Sequence, residues 1–234
     1  MSEASKYNLS NAKFGGGFAG DQGTQSGGTF NDYSSNNTTA DTEISSSVVV
    51  RNILILAANP KGTSPLRLDE EVREIDTGLQ RAKKREQFDL KQQWAVRYRD
   101  VTRAMLDYKP QIIHFSGHGA GDEGLVLEDE TGQVQYVDAE ALAELFKLFA
   151  NQVECVVLNA CYSEVQAEAI VKHVPYVIGM SRAIGDKAAI EFAVGFYDAL
   201  GSGESVEFAY QLGCNSIRLA GIVEHLTPKL KKKH

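Results

Sequence analysis

Two apolar runs that end in chemistry-bearing residues constrain this chain more than any other feature. Ile112-Ile113-His114-Phe115 leads into Ser116-Gly117-His118-Gly119, and Cys155-Val156-Val157-Leu158 leads into Asn159-Ala160-Cys161-Tyr162-Ser163. Short continuous apolar runs of this kind read as buried strands. Parallel strands of one sheet end at a common edge, so His118 and Cys161 are expected to meet there. An imidazole beside a thiol is the minimum apparatus of a cysteine nucleophile with a histidine base.

The rest of the chain alternates strands and amphipathic helices from about Val48 onward. Strands are expected over 50–57, 88–96 (toward a sheet edge), 111–116, 153–158 and 176–180. Helices are expected over 68–84, 100–108, 139–149, 164–171, 188–200 and 204–219. In the first helix Leu68, Val72, Ile75, Leu79 and Ala82 recur on one face. Asp69, Glu70 and Glu71 fall in its first turn, where the helix dipole favours them. Pro110 stops the second helix, and Asp138 is placed to cap the third. Leu125–Leu127 and Val134–Val137 flank Asp129-Glu130-Thr131-Gly132 and read as a β-hairpin. The alternation predicts an α/β fold: a mainly parallel central sheet with helices on both faces, plus a small hairpin.

Composition narrows the class. A domain of roughly 170 residues buries about 70% of its unfolded surface and needs no covalent staples. The net charge of −7 argues against a nucleic-acid surface as the main function. Three cysteines are too few and too odd for a disulfide framework, which fits a reducing, cytoplasmic setting. No apolar run approaches the ~20 residues of a membrane span, and the N-terminus lacks a signal pattern. No cluster has metal-ligand spacing, so neither metal nor cofactor is expected. Asn59-Pro60-Lys61-Gly62-Thr63 is too short for a phosphate-binding loop, which argues against a nucleotide-binding protein.

The paired motifs resemble those of the caspase-like cysteine peptidases, in which a His-Gly strand end is followed one strand later by a Cys strand end. The resemblance is to the CHAT branch, with separase, gingipain-like enzymes and metacaspases as cousins. It runs from about Arg51 to Gly221 and includes Ile53-Leu54-Ile55-Leu56-Ala57-Ala58-Asn59-Pro60 and Leu68-Asp69-Glu70-Glu71. It implies a caspase-like three-layer fold and peptide-bond hydrolysis by a His118/Cys161 dyad. It also implies an oxyanion hole from the backbone N–H groups of Gly119 and Cys161.

Each candidate has an alternative. Cys161 is otherwise a small buried cysteine at a strand end; the start of the following helix at Ser163 and Glu164 would favour its thiolate. His114, inside the strand, competes with His118 for the base role. Cys155 and Cys214 read as core, and His173, His225 and His234 have no motif context. Some relatives that cleave after Arg or Lys carry Asp two residues before the cysteine, where this chain has Asn159. The resemblance therefore makes Asn159 and Asp186 the substrate-binding candidates. Asp186 is placed to supply the missing charge, to cap the helix that follows, or to do both. Asp122 and Glu123 either line the groove or are solvated loop charges.

Residues 1–46 form a Gly/Asn/Ser-rich segment that cannot bury enough apolar surface to order alone. The stretch from Tyr7 to Tyr33 resembles Gly-rich motifs of bacterial effectors associated with STAND-type sensors. That implies a sensor partner or homotypic assembly, with Phe14, Phe18, Phe30 and Tyr33 as stackable aromatics. A plain leader and another docking role stand beside it. The caspase-like domain is bounded at 47–221, and 222–234 reads as a basic, solvated, frayed tail. Two functions follow: a regulated cysteine endopeptidase acting on protein or peptide substrates, in bacterial defence or cell-death signalling, and a non-catalytic caspase-like scaffold.

Overall fold

A computed structural model describes residues 49–233. The strands are β1 Arg51–Ala58, β2 Phe88–Trp94, β3 Ile112–Gly117, β4 Leu125–Glu128, β5 Val134–Val137, β6 Cys155–Asn159, β7 Tyr176–Met180 and β8 Pro228–Lys232. The helices are α1 Leu68–Arg81, α2 Tyr98–Tyr108, α3 Ala139–Leu148, α4 Glu164–Ile170, α5 Asp186–Ser202 and α6 Val206–Leu219. The six-stranded sheet has the order β2-β1-β3-β6-β7-β8; its first five strands are parallel and β8 is antiparallel to β7. A separate antiparallel pair joins β4 and β5.

Alternation along each strand sorts the core into two layers. Ile53, Ile55, Ile112, Cys155, Val157 and Ile178 pack with buried residues of α1, α5 and α6. Leu54, Leu56, Ile113, Phe115, Val156 and Leu158 pack with α2, α3, α4 and the hairpin. Successive strand residues point to opposite faces, so a strand buried on both reads as an unbroken apolar run. The chain leaves β1 for β2 in one direction and then returns past β1 to β3, β6 and β7. Loops at the carboxyl ends of strands beside such a reversal diverge and leave a crevice.

Element ends follow local chemistry. The first helix stops at Arg81, not Lys84, because Ala82 is extended (φ −64°, ψ 144°) and a 3-10 turn at Arg85–Gln87 leads into β2. Lys109 adopts a left-handed conformation (φ 45°) before Pro110, which disfavours a helical predecessor. The Asp138 carboxylate accepts from Ala141 N–H at 2.8 Å, as its capping position predicts. α5 runs two residues earlier than its apolar spacing suggests and ends at Gly203 (φ 91°), the left-handed residue that terminates many helices.

The basic terminus departs from expectation. Pro228–Lys232 forms an edge strand in register with Tyr176–Met180 rather than a frayed tail. Leu230 packs against the α5–α6 core, while Lys231 pairs with Glu164 and Glu168 and Lys232 pairs with Glu207. Lysines on an edge strand also discourage further strand pairing. Residues 1–46, with the assembly motif read from Tyr7 to Tyr33, and the terminal His234 lie outside the described residues. No helix among the described residues is long and apolar enough to cross a membrane.

Candidate active site

Sheet register brings the two motifs together. The final β3–β6 pair is Ser116 with Asn159. Two further residues on each strand reach His118 and Cys161, which line one pocket at the carboxyl edge of the sheet. Gly119 forms an antiparallel bridge with Leu125, tying the His118 turn to the hairpin. A Cβ at Gly119 would overlap the carbonyl oxygen of Cys161 and crowd Ala160. Only glycine permits this approach of the two turns.

Backbone donors remain free at this contact. The bonds that make the Gly119–Leu125 bridge run from Val126 N–H to His118 O and from Ala120 N–H to Gly124 O. That pattern leaves the N–H of Gly119 outside the bridge. Neither Gly119 N–H nor Cys161 N–H meets a backbone acceptor among the described residues.

The histidine is oriented by a carbonyl. Its Nε2 lies 2.9 Å from the carbonyl oxygen of Ser64, in the loop between β1 and α1. A carbonyl only accepts, so Nε2 carries the hydrogen and Nδ1 bears the lone pair. Cys161 Sγ accepts from Ile184 N–H at 3.4 Å and lies 3.6 Å from Ile184 O. Ile184 thus meets the sulfur with both its backbone N–H and its carbonyl. Ser163 donates to Leu158 O at 2.8 Å and accepts from Met180 N–H at 2.9 Å, locking the turn from β6 into α4. Tyr162, immediately after the cysteine, is held at φ 55°. Such backbone is unfavourable for a bulky residue and collects at functional turns. Its N–H donates to Arg182 O at 3.3 Å.

Beneath His118 and Cys161 is a polar cluster that the sequence reading missed. Glu71 of α1 is only 3% exposed, although first-turn acids are usually solvated. Its Oε1 accepts from His114 Nε2 at 2.8 Å and Asn159 Nδ2 at 2.6 Å, and its Oε2 accepts from Ser116 Oγ at 2.5 Å. Burial pushes the carboxyl up, but the hydrogen bond and electrostatic attraction of His114, with hydrogen bonds from Ser116 and Asn159, outweigh it and hold Glu71 below the ordinary carboxylate range. A signal was present in the sequence: Glu71 lies three residues after Leu68 and four before Ile75, inside the apolar stripe. His114 is thereby a buried structural partner, away from the pocket lining.

The other candidates separate cleanly. Asn159 and Asp186 both line the pocket with the dyad. Gly185, not Asp186, is the N-cap of α5, and Asp186 is its first helical residue. Asp122 and Glu123 are exposed in a 3-10 turn and do not line the pocket. Cys155 is fully buried, and desolvation pushes its thiol well up. Cys214 is half-buried and raised for the same reason. The pocket has only about 30 Å³ of free volume, whereas a cleft between α1 and β2 has about 560 Å³ but neither cysteine nor histidine in its lining.

Sheet order and strand-end chemistry define a caspase-like α/β protein. The Drosophila initiator caspase Dronc superimposes with a TM-score of 0.51 at 10% identity, over 80% of this chain and 81% of that one. The CHAT domain model matches residues 29–211, and the chain belongs to the CHAT-domain family. A "Roc-COR-CHAT protease" from an unknown prokaryotic organism is 26% identical over 175 residues, covering 72% of this chain and 16% of the relative. A "Probable protease" from Gillisia limnaea is 26% identical over 176 residues, covering 73% and 31%. The chain thus spans less than a third of the length of either relative.

Proposed function

We propose that this chain is a cysteine endopeptidase that uses His118 and Cys161. The observation that carries the reading is their meeting at adjacent strand ends in one pocket, with Gly119 packed on the Cys161 carbonyl. Family membership, fold and the protease names of its relatives support a peptidase.

The chemistry follows from the atoms present. His118 Nδ1 takes the Sγ proton, and the thiolate attacks the scissile carbonyl carbon. The resulting oxyanion accepts hydrogen bonds from the N–H groups of Gly119 and Cys161, each worth about 3 kcal/mol in the transition state. The imidazolium then protonates the leaving amine as the C–N bond breaks. Water, deprotonated by His118, attacks the thioester; the acid departs and the thiol is restored. Asn159 and Asp186 contact the residue on the acyl side of the scissile bond, P1.

The setting proposed is regulated proteolysis in a bacterial cytoplasm, in defence or cell-death signalling. The N-terminal segment would couple the enzyme to a STAND-like sensor or to further copies. Relatives far longer than this chain, named for Roc, COR and CHAT together, support a protease joined to other modules. Two observations favour the non-catalytic scaffold: the small pocket and the bridging of Sγ by Ile184.

A peptidyl acyloxymethyl ketone series with varied P1, followed by intact mass, tests the pair of readings. The endopeptidase forms an adduct that disappears in Cys161→Ala. A chain that resists every member while iodoacetamide alkylates Cys161 is the scaffold.

A further inference from the structure

The 3-10 turn Val223–Leu226 and Thr227 after it stand between two sites. On one side they hold the loop that covers Cys161. Gly185 N–H donates to Glu224 Oε1 at 3.2 Å, and the Ser181 N–H and hydroxyl both donate to Thr227 O, at 2.9 and 3.0 Å. Thr227 N–H closes back on Glu224 O at 2.8 Å, which joins the two holders into one unit. Between these anchors Ile184 meets Sγ with its N–H and its carbonyl. With only about 30 Å³ free beside the sulfur, room for a water or two, a peptide enters only when this loop moves.

On the other side the two residues between those holders, His225 and Leu226, form one wall of a groove of about 250 Å³, and α6 forms the other. Arg218, His225 and Lys229 line it, and no carboxylate does. Neither Arg218 nor Lys229 has an ion-pair partner among the described residues. His225 Nδ1 is buried and unmet. A carboxylate would satisfy it as the acceptor of an Nδ1–H. Leu226 and Pro228 add apolar surface. Leu219, Val223 and Leu226, from one short stretch of chain, are 77%, 87% and 60% exposed. Large apolar side chains grouped in the open mark interaction surfaces. The apolar rim favours a peptide over a nucleic acid, whose phosphates call for cations alone.

We propose that this groove docks an acidic segment of a partner protein, one carrying an aliphatic or aromatic anchor, and that docking draws the turn off its loop and uncovers Cys161. Arg218, Lys229 and His225 receive its carboxylates, and Leu226 and Pro228 seat the anchor. Partner and substrate favour the same displaced turn, so each strengthens the binding of the other. Docking and thiol exposure stand on the geometry alone; their meaning as activation rests on the endopeptidase reading.

Two readouts test it. The first is selection of random peptides displayed on phage against the full chain, with Arg218→Glu as the counter-target. The second is the rate at which iodoacetamide alkylates each cysteine, mapped by peptide mass, with and without the best peptide selected. The expected peptides are acidic with an apolar anchor. Their binding should speed alkylation of Cys161 about fivefold or more. It should also slow alkylation of Cys214, which lines the groove. Glu224→Ala, outside the groove lining, releases Gly185 and should speed alkylation of Cys161 with no peptide present. Asn215→Arg adds a cation to the α6 wall and should tighten the peptide several-fold, a gain that misfolding does not produce. Selected peptides that are basic or neutral, that ignore Arg218→Glu, or that never emerge overturn the docking surface. A dimer in sedimentation that Arg218→Glu dissolves makes the occupant a second copy and overturns it too. Acidic peptides that bind and leave Cys161 alkylation unchanged overturn the coupling. Faster alkylation on docking, with no cleavage of any substrate peptide, supports the proposal and sinks the peptidase.

Discussion

Cys155 begins β6 and Cys161 lies two residues past its end; in the neighbouring β3, His114 lies within the strand and His118 just past its end. The inner pair is sealed: both residues are fully buried, His114 is tied to Glu71, and desolvation pushes the Cys155 thiol well up. The outer pair is partly exposed, with His118 held by a carbonyl and Cys161 facing an N–H. Residue type is the same in both pairs. Depth in the sheet decides which pair solvent and a substrate can reach.

The largest effect is expected at the outer pair. Cys161→Ala should lower peptide cleavage by about 10⁴-fold or more while leaving the denaturant midpoint in place. His118→Ala should cost nearly as much. The two losses should not add, since the residues act as one unit, and a double-variant rate well below either single would break that view.

Disturbing the inner pair should instead cost stability. Glu71→Ala leaves His114, Ser116 and Asn159 unmet and should destabilise the fold by about 3 kcal/mol in urea titration. Acid should reveal the same carboxylate. Its folded-state pKa lies below the ordinary 4.5, so its stabilisation is complete above that value and is lost as pH falls through the lower one. Glu71→Gln should flatten this acid limb. A limb of unchanged steepness would mean that Glu71 is not the group titrating.

Smaller effects sharpen the contrast. Iodoacetamide should label Cys161 within the folded chain and reach Cys155 only on unfolding, as mapped by peptide mass. Cys155→Ala should cost about 1 kcal/mol and leave cleavage unchanged. Smallest of all, Lys231→Ala removes partly exposed pairs to Glu164 and Glu168 and should cost under about 1 kcal/mol, read as a slight fall in the urea midpoint.

Several features could be read locally and others could not. The hairpin and the Asp138 cap depend on neighbours within a few residues, and both appear where expected. The neighbours of Asp186 alone fit a cap, a pocket residue or both; Gly185 is the N-cap of α5, and Asp186 lines the pocket. The basic stretch at 229–233 looked solvated because lysines dominate it. Alternate residues of a half-buried edge strand can be charged, and one Leu230 is enough to seat it.

The amino-acid sequence by itself determined the strand-and-helix order, the two faces of the core and the positions of His118 and Cys161 at strand ends. Those properties follow from apolar runs and periodicity, which act over a few residues. Only the tertiary structure decided that Glu71 would lie in the pocket of His118 and Cys161, joined to His114 across 43 residues and to Asn159 across 88. Strand register and the seat of α1 on the sheet set those distances. Both arise from how whole elements pack, and no local pattern specifies them.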